Sequence, residues 1–200
     1  MKSGIAMSNF DFDFELRLKN HGREKPEKSG DGIFGCIPHV RGALPESGGG
    51  SDMNADYVDM LRCLNRAGVD YMLVGGWAVN MYGYIRATVD LDIWILADAD
   101  NAKKVYAAVA EFGAPVSEMK PEEFAEYGMI FQIGVAPCRV DIISKISGVS
   151  YADAVTRAVS KTIDGIPVRI ISLEDLIANK KASGRAKDLA DVEVLEGCRK

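Results

Sequence analysis

The stretch Val89-Asp-Leu-Asp-Ile-Trp-Ile95 alternates apolar and charged side chains and then turns wholly apolar. A period of two is the pattern of a strand with one face in a core, and it sends Asp90 and Asp92 out of the same face, roughly 6.5 to 7 Å apart along the backbone. Val89, Leu91 and Ile93 take the other face. Two carboxylates held together on one face of a strand inside a sheet repel each other, so the pattern demands a cation or open solvent. With oxygen donors and neither Cys nor His at hand, the expected cation is magnesium or manganese rather than zinc. Arg139-Val-Asp-Ile-Ile143 repeats the pattern with one carboxylate, Asp141. If the two strands are neighbours, three carboxylates converge.

The surrounding segments alternate helix and strand. Tyr57, Met60, Leu61 and Leu64 recur at helical spacing, with Asn54 or Asp56 as the cap and Gly68 where the helix ends. Tyr71-Met-Leu-Val74 reads as a short strand running into Gly75-Gly76, followed by a helix from Trp77 to Tyr82. Asp98 or Asp100 caps a helix carrying Ala102, Val105, Tyr106, Val109 and Phe112. That capping role, without the glycine and glutamate of an EF-hand, sets the second Asp-x-Asp apart from the metal candidates. Strands are expected over 129–135 and 138–143, a helix over 151–159, and a hairpin over 162–171 turning at Asp164-Gly165. The end is helical: Ser172-Leu-Glu-Asp175 forms a capping box with Asp for Glu, and a further helix runs from Ala186 to Leu195.

Composition narrows the chemistry. The chain has 200 residues, 48% of them hydrophobic, and a formal net charge of -5, which suits one ordinary globular core and excludes disorder throughout. No run reaches the roughly 18 to 20 apolar residues needed to cross a bilayer, and no basic start followed by an apolar stretch marks a secretory signal, so a cytoplasmic protein without membrane contact is expected. The mildly acidic balance argues against non-specific nucleic-acid binding as the main activity. Cys36, Cys63, Cys138 and Cys198 form no CxxC pair and are expected as reduced thiols. Both histidines, His21 and His39, precede Met53. Over 53–200 this excludes Ser-His-Asp and Cys-His catalysis, histidine zinc sites and histidine bases, leaving carboxylate, lysine, arginine and backbone chemistry.

Residues 1–52 lack a sustained period and are broken by Ser29-Gly-Asp-Gly32, Pro38, Pro45 and Ser47-Gly-Gly-Gly-Ser-Asp52. They read as a poorly ordered N-terminal extension or leader. Asn9 to Leu18 does alternate, as a short edge strand or partner-binding segment would, and Cys36-Ile-Pro-His39 offers two metal ligands, a weak signal alone.

Gly75-Gly76, between a strand and a helix, lets backbone approach a ligand closely, and helix N-terminal N–H groups attract anions. Phosphate cradle first and carboxylates second is the order that nucleoside-triphosphate chemistry requires. Lys180, Lys181, Arg185 and Lys187 either add positive charge for an anion or form a solvated helix end balanced by Asp188 and Asp191. Arg86 and Thr88 orient the Asp strand or merely flank it. Trp77, Tyr82 and Tyr84 stack on a base or belong to the core.

Val74-Gly-Gly-Trp-Ala-Val-Asn80, then Arg86-Ala-Thr-Val-Asp-Leu-Asp-Ile93, then Val140-Asp-Ile142, resemble the DNA polymerase β-type nucleotidyltransferase superfamily, with all three carboxylates in the family's order. Within it the chain is most similar to small bacterial nucleotidyltransferases related to the AbiEii toxins, whose C-terminal part resembles Leu176-Ile-Ala-Asn-Lys180 and Gly184-Arg-Ala-Lys-Asp-Leu-Ala-Asp191. The resemblance spans about Met53 to Leu195. One departure is Trp77, which stands where many members carry Ser; an aromatic after Gly-Gly also resembles lincosamide nucleotidyltransferases.

The resemblance implies an α/β (α+β) polymerase β-like fold over 53–200, a mixed central sheet flanked by helices, with C-terminal helices from about 172. It implies that Asp90 and Asp92 hold two magnesium (or manganese) ions, that Asp141 completes the metal site and helps activate an acceptor hydroxyl, and that the NTP, such as ATP, loses pyrophosphate. Gly75, Gly76, Trp77, Arg86, Lys180, Lys181, Arg185 and Lys187 are the implied nucleotide-binding residues. The implied acceptor is RNA, a protein or a small molecule, in a toxin–antitoxin setting; an antibiotic acceptor of the lincosamide or aminoglycoside kind, or a non-catalytic antitoxin or regulatory partner, are the alternatives. A cognate protein or a second copy is the expected partner where the short chain leaves the acceptor side incomplete.

Overall fold

The computed structural model describes residues 53–88, 90–135 and 138–197. The alternating segment Asn9 to Leu18 and the pair Cys36 and His39 lie outside the described residues. Strands β1 (Tyr71–Leu73), β2 (Asp90–Ile95), β3 (Ile130–Ile133), β4 (Arg139–Ile143), β5 (Val159–Ile163) and β6 (Ile166–Ile170) form a six-stranded sheet in the order β3-β4-β2-β1-β6-β5. The sheet is mixed, as expected. β2 lies antiparallel to β1 and parallel to β4, β1 and β6 are parallel, and the outer pairs β3/β4 and β5/β6 are antiparallel.

Because side chains alternate along strands, the β2/β4 register sorts the two faces. Leu91 pairs with Val140 and Ile93 with Ile142, giving an apolar surface whose members are all buried. Asp90 pairs with Arg139 and Asp92 with Asp141 on the opposite face. That face is polar only at one end: further along it Trp94 is buried, edge-on to Tyr151 with ring centroids 5.0 Å apart. Parallel neighbours cannot be joined by a tight turn. The path from β2 to β4 accordingly runs through α3 (Ala99–Phe112), a 3-10 turn (Pro121–Ala125) and the edge strand β3.

The helices follow their caps. Asn54 rather than Asp56 caps α1 (Ala55–Arg66), its side chain accepting from Asp56 N–H; Asp98 rather than Asp100 caps α3, accepting from Asp100 and Asn101 N–H. α1 packs on α3 and β6, and α2 (Gly75–Met81) packs on β2 and on α5 (Leu173–Ser183), which in turn packs on α6 (Ala186–Gly197). Ser172 caps α5 as a capping box predicts: its hydroxyl accepts from Asp175 N–H and donates to the Asp175 carboxylate. No helix among the described residues is long and apolar enough to cross a membrane.

Most element ends shift by a few residues from the sequence expectation, and three shifts matter most: the second helix, the fourth helix and the start of β5. The helix expected to start at Trp77 starts at Gly75, so both glycines belong to its first turn. The helix expected over 151–159 is α4 (Tyr151–Arg157); Ala158 leaves helical geometry, and β5 begins at Val159. The first four residues of β5 are exposed and carry no alternating apolar pattern; pairing with β6 makes them a strand.

Candidate active site

β1 runs antiparallel to β2, so the end of β1, the Gly75-Gly76 turn and the starts of β2 and β4 meet at one end of the sheet. The parallel register sets Asp92 beside Asp141, and the antiparallel β3/β4 register sets Gln132 on the far side of Asp141. The three carboxylates singled out in the sequence are therefore gathered on adjacent strands of one face. Arg139, which the sequence reading did not select, stands among them. Its Nη2 donates to Asp90 Oδ2 at 2.8 Å and to Asp141 Oδ2 at 3.0 Å. Its Nε lies 2.8 Å from Asp141 Oδ1 without hydrogen-bond alignment. Gln132 Nε2 donates to Asp141 Oδ1 at 3.2 Å.

Asp92 is the most strained electrostatically. Burial first, then the neighbouring Asp141 and Asp90, push its carboxyl up to about 6; a hydrogen bond from Gly76 N–H and the charge of Lys180 pull the other way. The glycine pair explains how the turn comes so close. Gly75 sits at φ +62°, and a Cβ there would overlap Asp92 Oδ2; a Cβ at Gly76 would overlap Thr88 Oγ1. Any larger residue at either position would displace the carboxylate or the loop that carries it.

Among the described residues no three Asp, Glu, His or Cys side chains stand as a ready metal-ligating cluster, and the Arg139 guanidinium pairs with Asp90 and Asp141. The donor set still fits a hard cation. All three groups are carboxylates on neighbouring strands, and Asp90 Oδ1 is buried with no hydrogen-bond partner.

The basic candidates are placed differently. Lys180 is buried, and its ammonium pairs with Asp188 at 2.8 Å and Asp191 at 2.7 Å. Arg86 forks onto Asp191 through Nε at 2.8 Å and Nη2 at 2.9 Å. Ser183 Oγ and Arg185 Nε donate to Asp188 as well. The cluster borders the carboxylates, because Lys180 acts on Asp92 and an Arg86 nitrogen would lie 3.4 Å from a Cβ at Gly76. Lys181 pairs with Glu196 at 2.6 Å on the surface, and Lys187 is exposed. Trp77 packs edge-on against Tyr57, ring centroids 6.1 Å apart, and the Tyr82 hydroxyl donates to the Ile171 carbonyl, so these rings serve the core.

Sequence reasoning missed Arg139 and Gln132. Arg139 left a usable signal, since it sits two residues before Asp141 on an alternating strand and so shares its face. Gln132 left none; its place beside Asp141 depends on register between strands.

Residues 53–199 match the family described as nucleotidyl transferase of unknown function (DUF2204), and the chain belongs to that family. No curated protein matches the chain. Solved structures similar to it include the antibiotic-resistance factor ANT(2'')-Ia in solution, at 19% identity over 70% of this chain and 80% of that one, TM-score 0.49. A second is the lincosamide antibiotic adenylyltransferase LnuA with lincomycin bound, at 14% identity over 73% and 98%, TM-score 0.47. A third is a nucleotidyltransferase-like structure from Thermotoga maritima, at 15% identity over 70% and 88%, TM-score 0.46.

Proposed function

We propose that this nucleotidyltransferase moves a nucleoside monophosphate from an NTP to a hydroxyl acceptor in a reaction that depends on magnesium or manganese, with Asp90, Asp92 and Asp141 as the ligands. The observation that carries the reading is the β2/β4 register, which sets Asp92 beside Asp141 and leaves three carboxylates against the Gly75-Gly76 turn. When bound, the divalent ion supplies Lewis-acid polarisation of the phosphoryl oxygens and neutralises charge on the leaving group. Asp90 and Asp92, fixed two apart on a rigid central strand, set where it sits. Asp141 accepts the proton of the acceptor hydroxyl as its oxygen bonds to the α-phosphorus; the bond from that phosphorus to the pyrophosphate oxygen breaks, and pyrophosphate leaves. Backbone at Gly75 and Gly76 borders the triphosphate, Arg86 and Lys180 hold the turn from behind, and the exposed Arg185 and Lys187 add positive charge in front.

The acceptor is proposed as RNA, a protein or a small molecule, which one experiment separates. Each α-labelled NTP is incubated with the protein, magnesium or manganese, and a total RNA and protein extract, beside Asp90→Asn/Asp92→Asn. Label is expected in one fraction and only with intact carboxylates. Label in RNA or protein fits the toxin–antitoxin setting suggested by the resemblance of Leu176 to Asp191, whereas no label in either, with NTP binding still measurable, fits a small-molecule, antibiotic-like acceptor. Equal labelling by the double variant would overturn the carboxylate assignment.

A further inference from the structure

Arg139 is the one cation that touches two of the three site carboxylates among the described residues. It lies directly across from Asp90 in the parallel register and two residues before Asp141 on its own strand, so the backbone, not a flexible loop, aims it between them. Its side chain is 31% exposed, against 25% for Asp90 and 11% for Asp141, so the guanidinium has an open side into which it can withdraw. It lies against one oxygen of Asp90 and both of Asp141, leaving Asp90 Oδ1 as the oxygen without a hydrogen-bond partner, so a divalent cation that bridged Asp90 and Asp141 would meet the guanidinium there. A guanidinium and a hard divalent ion cannot share the same carboxylate lone pairs at close range without strong repulsion.

We infer that Arg139 is a built-in displaceable counter-ion: it holds Asp90 and Asp141 together in the resting protein and competes with the divalent cation for them. The inference rests on the metal-dependent reading above. It explains how three crowded carboxylates are tolerated in a folded chain, since one guanidinium offsets part of their repulsion while leaving the site net negative. It also implies that cation binding includes the cost of breaking charge-assisted hydrogen bonds, so the bare site binds divalent ions weakly.

The test is Mn2+ binding to the full chain, read from the loss of the free-ion electron paramagnetic resonance signal, in wild type, Arg139→Gln, Arg139→Lys and Asp92→Asn. Thermal melting with chelator and with Mn2+ accompanies it. Arg139→Gln is expected to bind Mn2+ roughly tenfold more tightly than wild type, to melt lower in chelator, and to gain more from Mn2+; Arg139→Lys should fall between. If Arg139→Gln fails to fold, Arg139→Lys decides, and no gain in affinity there overturns the inference. Equal or weaker binding by Arg139→Gln, with binding lost in Asp92→Asn, overturns the inference and leaves the metal reading standing. Mn2+ binding that is absent from wild type and Arg139→Gln, or unchanged in Asp92→Asn, overturns both.

Discussion

Two groups of acids, one fully buried and one partly buried, lie side by side in this protein and behave in opposite ways. Asp188 and Asp191 sit among Lys180, Arg86 and Arg185. Burial alone would raise the Asp188 carboxyl, but hydrogen bonds from Lys180, Ser183 and Arg185 outweigh it and hold the group down at about 2. Asp90 and Asp141 share a single guanidinium that does not reach Asp92, and Asp92 is pushed up to about 6. Residue type is the same, but the Asp188 and Asp191 side chains are 5% and 3% exposed against 25% for Asp90, and the supply of cations differs as well. The first cluster is electrostatically complete and fixes α5 and α6 against the loop before β2, while the second has a deficit of positive charge at the place proposed to take the NTP and its metal.

Removing the central cation from the complete cluster gives the largest effect. Lys180→Met should lower stability by about 3 kcal/mol or more, measured by urea unfolding, because its ammonium, only 4% exposed, is the shared partner of Asp188 and Asp191. The loss should spread to the site, since the charge of Lys180 favours the ionised Asp92 carboxyl and Arg86 shares Asp191 with it. A loss below 1 kcal/mol would show that the two acids find enough compensation from Arg86, Ser183 and Arg185, and the contrast between the clusters would fail.

At the incomplete cluster the opposite substitution helps. The folded-state carboxyl of Asp92 is raised above its unfolded value near 3.8, so folding favours its protonated form. The penalty is absent well below pH 4, grows as pH rises from about 4 to about 6, and is complete above that. Asp92→Asn should therefore stabilise the chelator-treated protein at pH 7 to 8 by on the order of 1 to 3 kcal/mol, with the gain fading as pH falls towards 4, while NMP transfer is lost. Thermal melts of both proteins across that pH range check the sign. A variant less stable than wild type at pH 8 would mean that the hydrogen bond from Gly76 N–H outweighs the crowding.

The contrast also marks what a sequence can convey. That Asp90 and Asp92 share a face was legible because strand alternation fixes it, whereas the place of Asp141 beside them depended on the pairing of β2 with β4. The mixed sheet was expected from family resemblance. Lys180 was readable as a basic residue near the site, but not as a buried one: its helix contributes an exposed Lys181 one step away, and only the arrival of α6 with Asp188 and Asp191 separates their fates. Arg86 had the same ambiguity, resolved by a partner 105 residues later. β5 was half hidden because its exposed start has no apolar alternation.

The smallest expected change tests where one cluster ends and the other begins. Arg185 reaches Asp188 through Nε, yet its side chain is 78% exposed, so the pair contributes little to stability. Arg185→Gln should shift unfolding by less than about 1 kcal/mol. If the exposed side of its fork faces the triphosphate, as proposed, the same variant should weaken NTP binding severalfold in an equilibrium titration. Lys181→Gln is the matched control, a surface lysine one residue from Lys180 whose Glu196 partner is also exposed, and both quantities should stay near wild type. Stability and affinity unchanged in Arg185→Gln would place Arg185 with the solvated helix end and confine phosphate recognition to the turn and the residues behind it. A large loss of stability with affinity intact would instead enrol Arg185 in the buried cluster, despite its exposure.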